Sequence, residues 1–111
     1  MNDEVEALIR QDRDLIRTKI NSETAKIPWH ELQRFFAQGK VMLVSAELDL
    51  IDVAFAIQQD EIDQVKAWTD AIQLNPVTDD QAHQWHAQNI WLWAVVVKPW
   101  VLVQTIEADE D

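Results

Sequence analysis

Apolar residues recur along the first part of the chain at helical spacing. Val5, Leu8, Ile9, Leu15, Ile16 and Ile20 fall on one side of a helix predicted over residues 4–20. Asp3 suits the N-cap of that helix, and Glu6, three residues on, completes a capping-box pattern. Asp12 interrupts the stripe where an apolar residue would continue it. Either the helix leaves the core there, or this acid has a partner.

Six further elements follow before the C-terminal segment. Pro28 opens a second predicted helix, in which Trp29, Leu32 and Phe36 keep helical spacing, and Gly39 ends it as a left-handed C-cap. Val41–Val44 is a short apolar run bounded by β-branched residues and predicts a buried strand. A third helix is predicted over residues 49–58. A fourth runs over residues 60–72 with Asp60 as its N-cap and Ile62, Val65, Trp68 and Ile72 inward. Leu74–Val77 predicts an edge strand or a loop, because Pro76 cannot donate to a ladder. Thr78 caps a fifth helix over residues 79–88 that turns Ala82 and Trp85 inward.

The last segment, WLWAVVVKPWVLVQTI, is dense in β-branched and aromatic residues and predicts strand over residues 91–105. No Asn-Gly or Asp-Gly pair signals a tight hairpin at Lys98–Pro99. The expectation is one long strand broken there, or two consecutive strands. Trp91 and Trp93 share a face by the period of two, and straight alternation through Pro99 would turn Trp100 the other way. Both faces of the segment are apolar, so it is either central to a covered sheet or covered by a partner.

The fold class is therefore α+β: several short helices packed on a small, mainly antiparallel sheet that includes Val41–Val44 and the C-terminal strands. The 111 residues fit a single domain, 1–111, with the amphipathic helix at one end and an acidic disordered tail, 107–111, at the other.

Charge and composition narrow the function. Twenty acids against nine bases give a net charge of −11, a field that repels nucleic-acid phosphates and anionic membranes. Arg10, Arg13 and Arg17 lie along the first helix among Asp12 and Asp14, and read as a solvated face with local charge pairs. No apolar run is long enough to span a bilayer as a helix, and the charged N-terminus carries no secretory signal, so a cytoplasmic location is expected. With no cysteine, disulfides, thiolate nucleophiles and Cys-based metal sites are excluded. With one glycine, neither a phosphate-binding P-loop nor a dinucleotide-binding GxGxxG can exist.

Positive candidates are few. His83 and His86 stand one helical turn apart, with Asp79 one turn upstream, a geometry open to metal binding, with His30 as a further ligand from elsewhere in the fold. The HExxH spacing is absent, so two surface histidines are the preferred reading. Six carboxylates lie between Glu47 and Asp63, and helix capping accounts for several of them. Neither Ser22 nor Ser45 sits in a GxSxG elbow. Trp91, Trp93 and Trp100, with Lys98 beside the bend, are the candidate interaction surface.

Three stretches, ETAKIPWHELQRFFAQG, LDLIDVAFAIQQD and WAVVVKPWVLVQ, resemble a family of small bacterial proteins known only as a domain of unknown function. The resemblance covers roughly residues 15–104, and VVVKPWVLVQ with the WHEL helix start is its specific part. It implies a compact bacterial domain and transfers no activity, cofactor or catalytic residue.

The function expected is non-enzymatic, a protein-interaction or small regulatory module without cofactor, self-associating through the C-terminal strand or the first helix, or binding another protein. The alternative is a metal- or small-ligand-binding domain built on His83, His86 and nearby acids or tryptophans.

Overall fold

The computed structural model describes residues 3–106. Met1, Asn2 and the acidic tail expected at 107–111 lie outside the described residues. In chain order the elements are α1 (Asp3–Glu23), β1 (Ala25–Pro28), α2 (Trp29–Ala37), β2 (Val41–Val44), α3 (Leu50–Gln58), α4 (Ile62–Asp70), β3 (Leu74–Pro76), α5 (Asp79–Gln88), β4 (Trp91–Val97) and β5 (Trp100–Thr105). The strands form one sheet of order β1-β4-β5-β2-β3. All neighbours pair antiparallel except β2 and β5, which run parallel. This is the α+β fold expected. β1 has no counterpart in the sequence reading, because four residues ending in proline give too short a signal.

The C-terminal segment is two consecutive strands, the second of the two expectations, and they pair with each other as an antiparallel hairpin although no glycine turn signalled one. Val97 pairs with Trp100 and Leu92 with Thr105. Lys98 and Pro99 form the two-residue connection, joined by a cis peptide bond. A proline in cis at the third position of a tight turn is an alternative to the glycine-based hairpin turns. Because Val97 and Trp100 are directly opposite, they share a face, so Trp100 joins Trp91 and Trp93 instead of opposing them.

Alternation along this hairpin divides the interior in two. On one face, Val95, Val97 and Leu102 pack with Val44 and Leu74 against Ile20 of α1, Leu50, Val53 and Phe55 of α3, and half-buried Val65 and Trp68 of α4. On the other, Leu92, Ala94, Val101 and Val103 pack with Val41 and Val77 against Trp29 and Leu32 of α2 and Ala82 and Trp85 of α5. This chain thus covers both sides of the middle of the hairpin and leaves Trp91, Val96 and Trp100 exposed. β1 and β3, the outermost strands, carry Pro28 and Pro76. Pro76 on an edge is the placement expected of a residue that cannot donate.

Caps explain much of the sequence between the strands. The Asp49 carboxylate accepts from the Ile51 N–H at 2.8 Å, and Thr78 with Gln81 forms a full capping box on α5. Four helices end in the same paired closure, with one residue turned left-handed: Gly39, Asp60, Ile72 and Asn89. At α3, for example, the Asp60 N–H donates to the Ile57 carbonyl and the Glu61 N–H to the Ala56 carbonyl. Asp60 therefore terminates α3 and does not cap α4, a correction. Ile72 closes α4 in the same way, through the Thr69 and Trp68 carbonyls.

α1 departs most from an ordinary packed helix. Ile20 is its buried residue, Ile16 and Arg17 are half-buried, and residues 3–15 are exposed. Burial begins only at Ile16 and Arg13 is already drawn to the body, so the stripe interrupted at Asp12 lies outside the core. What holds its second half is Phe55: the Arg13 and Arg17 guanidinium groups lie 4.7 and 4.4 Å from that ring. Arg13 also reaches Glu61, and Arg17 reaches Asp52. These pairs cross to α3 and the turn after it, and are not the local pairs with Asp12 and Asp14 that the sequence suggested.

Two substitutions separate the cost of the left-handed closures from packing. A Cβ at Gly39 would meet nothing within 4 Å, so Gly39→Ala should lower stability by about 1 kcal/mol through backbone conformation alone. Ile72→Asn should raise it by about 1 kcal/mol, because Ile72 is 75% exposed and a β-branched residue is poorly suited to positive φ. Urea midpoints at unchanged slope measure both.

Candidate functional site

The histidines on α5 meet α2. Trp29 follows the last strand residue Pro28 and is fully buried, its ring 5.3 Å from Trp85 and 5.6 Å from Phe36. Those ring contacts set α2 against α5. A cleft of about 570 Å³ opens between the two helices, lined by Trp29, Gln33, Arg34 and Phe36 from α2 and by Asp79, Ala82, His83 and His86 from α5. The three metal candidates therefore share one concave site. His30 comes close as well, its ring 4.8 Å from that of His86. Even so, among the described residues no group of three or more His, Cys, Asp or Glu side chains is placed to hold a metal ion.

Trp29, on the cleft wall, carries a polar anomaly. The Trp29 indole Nε1 is buried and has no hydrogen-bond acceptor among the described residues. A buried donor left unpaired costs about 1–3 kcal/mol, and native structures rarely keep one. Arg34 rests 4.8 Å from the Phe35 ring and has no carboxylate partner among the described residues.

The tryptophans of the hairpin do not form one patch. Trp91, 56% exposed, stands at the far end of β4 from the turn, about 20 Å from Val97 at strand rise. Trp93 between them is half-buried, packed on the core with Lys26 Nζ 5.0 Å from its ring. Trp100, at the turn end, lines a separate apolar cleft of about 460 Å³ with Met42, Ile57, Val65 and Leu74. Lys98 is exposed in the turn.

The acid-rich stretch Glu47–Asp63 is largely occupied by structure. Asp49 caps α3, Asp52 and Glu61 hold the arginines of α1, and Glu47 accepts from Gln73. Sequence reasoning did not find the α2 side of the α2–α5 cleft. Gln33 and Arg34 carry no motif, and only the packing of Trp29 on Trp85 brings them to His83 and His86.

No helix among the described residues is long and apolar enough to cross a membrane. What the geometry defines is an α+β protein with a five-stranded mixed sheet between two helical layers and an open cleft in one of them. The chain belongs to the family described as "Protein of unknown function (DUF2288)", whose model matches residues 15–105. Among solved structures it is similar to the NMR solution structure of PA1075 from Pseudomonas aeruginosa. That match has 40% identity and a TM-score of 0.74, over 87% of this chain and 90% of that one. No curated relative matches the chain.

Zinc or nickel titration should leave the melting temperature unchanged, since His30 and His86 meet without a third His, Cys, Asp or Glu among the described residues placed to complete a metal site. A rise that His86→Ala abolishes would instead establish a metal site.

Proposed function

We propose that the chain is a non-enzymatic interaction module of the cytoplasm that pairs with a second copy of itself through α1. The observation that carries this reading is the projecting half of that helix. Val5, Leu8, Ile9 and Leu15 are each between 45% and 62% exposed, at helical spacing, on a segment that touches little of its own body. An isolated helix of that length is marginal in water, and a partner along its apolar side supplies the missing burial. The C-terminal strands offer no comparable route, because β4 and β5 are both interior to the sheet.

Asp3, Glu4, Glu6, Asp12 and Asp14 outnumber Arg10 and Arg13 along the exposed stretch, and Arg13 already meets Glu61, so the apolar stripe and not charge drives the pairing. The exposed stretch, residues 3–15, is about 20 Å long, so the contact is small and the dimer weak. The net charge of −11 argues against a nucleic-acid partner, and the lack of cysteine suits a reducing compartment.

Sedimentation equilibrium tests the pairing. A monomer–dimer equilibrium is expected at micromolar to high micromolar concentration, weakened about tenfold or more by Leu8→Glu with Ile9→Glu. A strict monomer throughout that range would sink the proposal.

A further inference from the structure

The α2–α5 cleft is independent of α1, and the geometry points to a binding site there for a small organic carboxylate on an apolar ring or chain. Four observations converge on this. The cleft contains Trp29, whose buried Nε1–H has no acceptor within the described residues, so a ligand oxygen would complete it. Gln33 and Arg34 of α2 and His83 and His86 of α5 add donors around the same space. Arg34 is a free guanidinium among the described residues, in a molecule where acids outnumber bases more than two to one. Finally, Trp29, Phe36 and Ala82 give the cleft an apolar floor, and about 570 Å³ lies within the usual range for small-molecule sites.

The same residues argue against other occupants. A metal ion would lack a third ligand and would face the Arg34 charge. An organic cation would meet that charge and a set of donors, with Asp79 as the single carboxylate on the lining. Asp79 stands in the first turn of α5, so the carboxylate head of the ligand belongs on the opposite wall, with Trp29 and Arg34 of α2. There the guanidinium supplies a charge-assisted hydrogen bond and the indole a neutral one. His83 and His86 close the other side, each with a ring nitrogen to donate and one to accept toward polar groups on the body of the ligand.

Benzoate, benzyl alcohol and benzylammonium share a ring and differ in head group, so they test the assignment. In a titration of the full chain followed by indole N–H resonances, benzoate should shift the Trp29 signal saturably, and the other two should not. Arg34→Gln should weaken benzoate about tenfold, the scale of a lost charge-assisted bond. Trp29→Phe should weaken it about fivefold and also lower the melting temperature, since the ring it shortens packs against Trp85 and Phe36, so its affinity is read well below that temperature. Should Trp29→Phe fail to fold, Arg34→Gln carries the test alone, because Arg34 is exposed. No saturable shift with benzoate, equal binding of benzyl alcohol or benzylammonium, or wild-type affinity in Arg34→Gln would each overturn the site.

Discussion

The register of β4 against β5 is the constraint on which the rest of the structure depends. Both strands are apolar on both faces, and both are interior. A slip of one residue would exchange every side chain between the two cores. The pairing of Val97 with Trp100 across Lys98–Pro99 fixes which goes where. It sends Val95, Val97 and Leu102 to the side of α1, α3 and α4, and Leu92, Ala94, Val101 and Val103 to the side of α2 and α5. Gln104 ties that register to the loop after β2, where its amide donates to the Ser45 and Leu48 carbonyls at 2.9 and 2.8 Å. The loop so held delivers Asp49 to its cap position, and α3 then meets the sheet with Phe55 buried.

From Phe55 the organisation passes to α1. The ring is buried, yet two guanidinium groups lie over it, and each of those also meets a carboxylate. The exposed ion pairs alone would contribute little. Combined with the ring they fix the second half of α1 and leave the first half projecting. The opposite layer is held differently, by contacts of Trp29 with Trp85 and Phe36 that need no charge. The donors along the α2–α5 cleft are therefore not consumed in holding the two helices together.

Much of the fold was legible in the sequence for simple reasons. Helical spacing, Thr78 with Gln81, Asp49 and Gly39 each act through near neighbours, and local chemistry decides them. What was not legible depends on distant partners. β1 exists because Ala25–Pro28 pairs with Ala94–Trp91, and nothing within four residues announces that. Asp60 reads as an N-cap by residue type, but the closure of α3 takes it into the left-handed region. The hairpin was hidden because its turn uses proline instead of glycine. At the cleft, the sequence showed His83, His86 and Asp79 through their common helix face, while Gln33, Arg34 and the unpaired indole of Trp29 became visible only once α2 and α5 were neighbours.

The two outer strands bear on how copies of this protein can meet. β1 and β3 are three or four residues long, and each holds one of the chain's three prolines. The third proline lies in the turn between the central strands. A short edge with a missing donor is a poor template for another strand, so the sheet cannot easily grow from either side. Contact between copies is left to helices and side chains, whose strength follows concentration and reverses with it. Crowding this protein should then yield discrete, dissociable species in place of fibrils.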